Sequence, residues 1–194
     1  MILVFALGIL LSGGELEWSW LRPFAVANVA LVAVWNFWDR WLWRLRPCQQ
    51  LKVTPPSLFG TWKGTLASNY IRPGENQAID PKPAYLVVRQ TASSLSFTLM
   101  TDESRSVSDA AAIKISDQES TAGFLYLNTP SLEHRKRSPI HLGATRLTIV
   151  GKPARKLEGE YWTSRNTAGE LMFIERSNDL AHDYEEAQKL FHSS

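Results

Sequence analysis

The chain has 194 residues, a formal net charge of +2, four histidines and a single cysteine. One cysteine excludes an intrachain disulfide framework and fits a reducing compartment, and the scattered histidines give no zinc-binding spacing. Beyond residue 47 the chain holds 17 basic and 16 acidic residues, a balance that excludes the basic face of a duplex-DNA binder.

The chain opens on MILVFALGILLS, an apolar run that would be only about 18 Å long as a helix, short for a membrane span. No Lys or Arg precedes it and no small-x-small cleavage site follows, so a secretory signal peptide is disfavoured. Residues 24–38, FAVANVALVAVWNFW, carry no charge. With flanks from Trp20 to Trp43 they predict a helix of roughly 36 Å, enough to cross a hydrocarbon core of about 30 Å. Six of the eight tryptophans lie between residues 18 and 43, where interfacial anchoring explains them. Asn28 and Asn36 are expected to hydrogen-bond toward another helix, with a role as oligomerisation glue as the alternative. A turn at Gly13-Gly14 would join two antiparallel helices, so residues 1–46 predict a transmembrane hairpin; a single anchor helix behind an apolar stub is the alternative. Glu15 and Glu17 mark the outer loop, while Arg40, Arg44, Arg46 and Lys52 follow the second helix. This bias places the C-terminal part in the cytoplasm.

Residues 47–57, PCQQLKVTPPS, read as a linker. From Leu58 the apolar period changes to two, and strands are predicted at 59–69, 84–91, 94–101, 105–116, 122–128, 141–150, 156–165 and 169–176. Turn residues such as Asp80-Pro81, Thr129-Pro130 and Lys152-Pro153 separate them. The alternation Leu95, Phe97, Leu99 against Ser96, Thr98, Met100 is the clearest. Residues 58–177 therefore predict an all-β soluble domain, a small eight-stranded antiparallel up-and-down, lipocalin-like barrel; closure removes exposed edges. Residues 178–194 read as a C-terminal helix capped by Asn178 or Asp179, with Leu180, Tyr184, Ala187 and Phe191 on its apolar face.

The first strand carries Gly60-Thr61-Trp62-Lys63-Gly64, a G-x-W opening also seen in lipocalin-like barrels, where the tryptophan plugs the closed end. Ser104, Ser106 and Ser108 share one strand face; they are either donors to a phosphate or base edge or the solvated face of an edge strand. His134, Arg135, Lys136 and Arg137 are either a solvated loop or a contact for anionic lipid or phosphate. His141 begins a strand as a candidate ligand contact or a hydrogen-bonded wall residue. Tyr161, Thr163 and Arg165 share a face in the most distinctive hairpin: tyrosine stacks on bases and arginine pairs with phosphate, the alternative being an outward polar ladder. No nucleophile elbow, metal motif or phosphate-binding glycine loop is present, so the sequence calls for no cofactor and gives an enzyme no support.

Several motifs recur in a fixed order: the apolar hairpin, Leu58-Phe59-Gly60-Thr61-Trp62-Lys63-Gly64, Thr101 with its serine ladder, Leu125-Tyr126-Leu127-Asn128 before a proline, His141 to Leu147, and Leu157 to Arg165 followed by Gly169. In this order the chain resembles the two-transmembrane, β-strand-rich effectors of bacterial cyclic-oligonucleotide-based antiphage signalling systems. The resemblance implies that the barrel binds a cyclic dinucleotide made by a partner nucleotidyltransferase. It further implies homo-oligomerisation in the inner membrane and membrane disruption that kills or arrests the cell. The candidate ligand residues, chosen by chemistry and strand face, are Thr101, Ser104, Ser106, Tyr126, His141, Tyr161, Thr163 and Arg165. Two other readings stay open: a tethered carrier, which needs an interior lined almost wholly by apolar side chains, and a partner-binding module.

Overall fold

The computed structural model describes residues 21–50, 54–71, 79–116, 119–136 and 138–192. The chain divides into two units, Met1–Leu42 and Trp43–Ser194. In the first, α1 (Leu21–Arg40) is a 20-residue helix. Its Val26, Val29, Leu31, Val32, Val34, Trp35 and Phe37 are all exposed. Asn36 donates to the carbonyl of Val32 at 2.8 Å, one turn back on its own helix; the second helix expected to receive it lies outside the described residues. Among the described residues no helix is long and apolar enough to cross a membrane. The predicted span to Trp43 is cut short because the helix ends at Arg40 and a 3-10 turn, Leu42–Arg44, follows. The first predicted helix, its Gly13-Gly14 turn and Lys52 lie outside the described residues.

The second unit contains a closed barrel of eight antiparallel strands, each paired with its neighbours in sequence and β8 with β1. They are β1 (Gly60–Ser68), β2 (Lys82–Gln90), β3 (Leu95–Met100), β4 (Ser104–Lys114), β5 (Ser120–Pro130), β6 (His141–Val150), β7 (Lys156–Thr163) and β8 (Ala168–Ser177). Every predicted strand boundary falls within two residues of an observed one. Alternation explains the agreement: Phe97 and Leu99 on β3, Phe124 and Tyr126 on β5 and Leu157 and Tyr161 on β7 all enter one core. β4 is not an edge strand, since it pairs with both β3 and β5.

Strand β2 departs from alternation, with Ala84 through Val88 buried on both faces. Its outer face is covered by the C-terminal segment: Tyr85, Val87 and Met100 pack with Ala181 and Ala187, joined by Leu180, Tyr184 and Phe191. The apolar face expected of this segment is the one used, but helix α3 (Tyr184–Leu190) starts later than predicted. Its cap is Asp183, whose carboxylate accepts from the Glu186 amide at 2.7 Å, while the Glu186 carboxylate accepts from the His182 amide at 2.7 Å. The pair resembles a capping box, with the return bond going to the residue before the cap. Asn178 and Asp179 cannot serve because β1 holds that stretch: the Thr61 hydroxyl donates to the Asp179 carbonyl at 2.7 Å and accepts from the Ala181 amide at 3.0 Å.

One end of the barrel is plugged. Trp62 and Leu58 are fully buried, and the Trp62 indole donates to the Leu58 carbonyl at 2.8 Å. The Gln90 side chain accepts from the Leu58 amide at 2.7 Å and donates to the Pro56 carbonyl at 3.1 Å. Arg176 lies over the Trp62 ring, 5.1 Å from its centroid, and donates to the carbonyls of Ser57 and Phe59. The expected role of the G-x-W tryptophan is thus what the fold gives it. The stretch before β1 is also ordered by side chains. A short helix, α2 (Arg46–Gln50), presents Gln49, which bonds the Trp43 and Pro55 carbonyls at 2.9 and 3.2 Å and the Ser57 amide at 3.0 Å.

Candidate ligand cavity

Among the described residues the opposite end of the barrel is open and carries many polar side chains. The inner faces of the strands there surround a cavity of about 320 Å³, within the size range of small-molecule sites. All eight sequence-chosen residues line it: Thr101, Ser104, Ser106, Tyr126, His141, Tyr161, Thr163 and Arg165. They come from four strands and two turns far apart in sequence, and barrel closure brings them together.

Tyr126 and Tyr161 form the inner wall, 3% and 8% exposed. The reason both rings fit lies on the neighbouring strand. Gly143 is the Cα partner of Tyr126 and Gly169 that of Tyr161. A Cβ built on Gly143 would sit 2.3 Å from Tyr126 Cζ, and one on Gly169 would sit 2.7 Å from a Tyr161 ring carbon. Each ring occupies the space a side chain would fill, so only glycine serves at these two positions. Below, an aromatic column continues into the core, with Phe124 against Tyr126 at 5.9 Å and Phe97 stacked on Phe124 at 4.5 Å. Burial pushes the Tyr126 phenol well above its ordinary pKa. Tyr161 adds to the shift and the Thr145 hydroxyl partly offsets it. Tyr161 is raised as well, again by burial, with the Ser68 hydroxyl opposing. Both phenols are neutral donors at physiological pH.

The serine ladder faces inward, as one of its two readings required. Thr101 lies just past β3, its amide donating to the Ser104 carbonyl at 2.9 Å, while its hydroxyl accepts from the Ser104 amide at 3.2 Å. Ser106 is 3% exposed. Ser108 lies deeper and accepts from the Phe97 amide at 2.9 Å. His141 points its Nδ1 at the Pro139 carbonyl, 2.8 Å away. A carbonyl only accepts, so Nδ1 carries the proton and the neutral ring offers Nε2 as an acceptor.

Arg165 differs from expectation in position. β7 ends at Thr163, and Arg165 lies in the turn to β8, not on the strand. The turn closes through Thr163 and Thr167, whose hydroxyls lie 2.7 Å apart, and through the Arg165 amide donating to the Thr163 hydroxyl at 3.2 Å. From there the guanidinium reaches Ser138 at 2.6 Å and borders the mouth. The outward-ladder alternative fails for Tyr161 and Thr163, which both line the lumen.

The rim also holds residues that sequence reasoning missed. Lys82, at the start of β2, pairs with Glu103 at 3.0 Å and Asp102 at 3.5 Å. Glu103 also faces His134 Nε2 at 3.8 Å, and its carbonyl accepts from the Ser131 amide at 3.0 Å. The β3–β4 turn and the loop after β5 are therefore linked across the mouth. Asn128, on β5, also lines the cavity. It was legible as the inward partner of Tyr126 two residues on, had alternation been carried to the end of the strand. Of the HRKR cluster, His134 thus faces Glu103, Arg135 donates to the Pro130 carbonyl at 3.2 Å, and Arg137 lies outside the described residues.

A closed barrel plugged at one end and lined at the other by tyrosines, hydroxyls and charged side chains of both signs, Lys82 and Arg165 with Asp80, Asp102 and Glu103, defines a ligand-receptor barrel. The tethered-carrier reading needs an apolar lumen, but the apolar part of the interior is filled by side chains and the space that remains is lined largely by polar groups. The family model of the Cap15 cyclic dinucleotide receptor domain matches residues 53–175, more than half of the chain. The chain belongs to that family, and the resemblance to antiphage signalling effectors drawn from the motif order is borne out. A curated relative, CD-NTase-associated protein 15 of Staphylococcus schleiferi, is 26% identical over 170 residues, covering 88% of each chain.

Proposed function

We propose that this protein is a membrane-anchored antiphage effector whose barrel senses a cyclic dinucleotide made by a partner nucleotidyltransferase. The observation that carries this reading is the convergence of Tyr126, Tyr161, the Thr101–Ser106 hydroxyls, His141 and Arg165 on one cavity, in a domain of a cyclic dinucleotide receptor family. Such a ligand has two stackable bases and two anionic phosphates. Tyrosine faces suit the bases, and hydroxyls with a guanidinium suit the phosphates. Lys82 pairs with Asp102 and Glu103 and so offsets part of the acidic charge at the mouth.

Ligand binding drives self-association, and the N-terminal apolar region then disrupts the inner membrane, killing or arresting the cell. In support, α1 exposes apolar side chains on all sides, a surface suited to lipid or other helices. On the outer wall, Val107, Leu125, Leu127, Leu142 and Trp162 are exposed. They alternate with cavity residues on the same strands, so a ligand that tightens the inner face acts on the wall a second copy would meet. The arginines at 40, 44 and 46 favour a cytoplasmic barrel.

The test is calorimetric titration of the full chain in detergent with cyclic di-AMP, cyclic di-GMP, cyclic GMP-AMP, cyclic di-UMP and oleate. Saturable binding of at least one cyclic dinucleotide, with a rise in sedimentation coefficient on binding, is expected. Binding of oleate alone would overturn the reading.

A further inference from the structure

Among the described residues, one buried polar atom of the cavity lining has no partner. Asn128 Nδ2 donates to the Ser106 hydroxyl at 2.8 Å and to the Ser104 hydroxyl at 3.2 Å, which uses both of its N–H groups. Its Oδ1 is buried and has no hydrogen-bond partner among the described residues. The Thr101 hydroxyl lies 3.2 Å from the Ser104 hydroxyl and 3.4 Å from the Ser104 carbonyl, which ties Ser104 to the turn before β4. With the amide nitrogen on the two serines, the oxygen is the open group.

A buried acceptor without a donor is destabilising, and that penalty is removed by a ligand that supplies an N–H or O–H. Phosphate oxygens carry no proton and cannot do so. Every common nucleobase carries an N–H on its pairing edge. Asn128 sits beside the place where a base would stack, because Tyr126 precedes it by two residues on the same inward face of β5. We infer that Asn128 is a specificity-determining residue whose Oδ1 accepts a base N–H of the ligand, and that Ser104 and Ser106 position its amide by accepting from its nitrogen, with Thr101 bonded to Ser104. The inference rests on the cyclic dinucleotide reading of this cavity and gives these hydroxyls a supporting role toward Asn128.

The selectivity follows from chemistry. A site built around a single buried acceptor rejects a ligand lacking the matching donor far more strongly than a site lacking a methyl-sized contact would. The experiment takes the tightest binder of the four cyclic dinucleotides and compares it with analogues whose bases have lost the pairing-edge N–H groups to full N-methylation (exocyclic amines dimethylated, ring N–H methylated) or which carry 2′-deoxyribose at the free hydroxyl. Each is titrated by calorimetry into the full chain and its Asn128→Ala variant, with melting temperatures recorded for both proteins. Removing the base N–H is expected to weaken binding to the unmodified protein by about tenfold or more. Asn128→Ala is expected to weaken the parent ligand by a similar factor and to leave the affinity of the N-methylated analogue unchanged. Equal losses for both ligands would make Asn128 merely structural and overturn the inference, as would a parent ligand indifferent to the substitution, which would reduce the methyl effect to steric clash. A loss confined to the deoxy analogue would assign the contact to a ribose hydroxyl and also overturn it. If Asn128→Ala does not fold, the comparison of parent and methylated ligands on the unmodified protein still decides: equal affinity refutes the base contact. Failure of all four dinucleotides to bind would instead remove the parent reading.

Discussion

The two ends of the barrel solve opposite problems with the same eight strands. At the plugged end the polar groups around Trp62 have answers within the protein: the Trp62 indole has the Leu58 carbonyl, Gln90 spends both ends of its amide, and Arg176 spends its guanidinium on two carbonyls over the Trp62 ring. Burial lowers the Arg176 pKa, with Arg44 as a second cause, yet a guanidinium so far above neutrality stays charged. At the open end the tyrosines are buried against glycines, and an amide oxygen stands without a donor. Large buried side chains fill the first end, whereas the second keeps a cavity. A ligand completes the second end as the residues before β1 complete the first.

That contrast can be broken by substitution. Trp62→Ala should have the largest effect, a loss of about 3–5 kcal/mol of stability from removing a fully buried aromatic, read as a lower denaturation midpoint. An equal loss on truncating a rim residue would erase the distinction between the ends. Gly143→Ala comes next: its new Cβ must displace the Tyr126 ring, at a cost of roughly 1–3 kcal/mol from overpacking. Ligand affinity should fall with it, and an unchanged affinity would show that the ring position is immaterial.

The phenols give a pH signature at the open end. Tyr126 and Tyr161 are raised in the folded protein, while in the unfolded chain tyrosine ionises at about pH 10. Above that pH the unfolded state binds fewer protons than the folded one, so stability is full below about 10 and falls as pH rises through it. The slope is at most about 1.4 kcal/mol per pH unit for each phenol. Urea titrations at pH 9 and 11 check this, and Tyr126→Phe should flatten the dependence. The smallest effect on stability is expected from Arg165→Ala, within about 0.5 kcal/mol because it lies in a turn at the mouth. The same substitution should weaken cyclic dinucleotide binding about tenfold by removing a charge-assisted contact. Unchanged affinity by calorimetry would exclude the guanidinium from the site.

Much of the barrel was legible in the chain because its strands alternate cleanly and its turns carry proline, asparagine and glycine. The β5 face of Phe124 and Tyr126 and the β7 face of Leu157, Tyr161 and Thr163 could be read without coordinates. So could the plug at Trp62, from a short motif at a strand start. The strand faces also picked out residues that meet in one cavity. Reading failed where a residue leaves the regular period: Arg165 in its turn, and Asp183 as the true helix cap.

What the sequence determined by itself is therefore local: strand extents, inward faces, the apolar face of the C-terminal segment and the order of motifs that marks the family. Only the tertiary structure decided that β4 has no free edge and that Thr61 delays α3 by holding the chain before it. It alone paired each cavity tyrosine with a glycine and showed which hydroxyls are already spent. The physical reason is that alternation fixes which side of a strand a residue takes, whereas its partners are set by closure and register, which bring together residues far apart in the chain. The open acceptor of Asn128 exists only once that closure has placed two serines against its nitrogen.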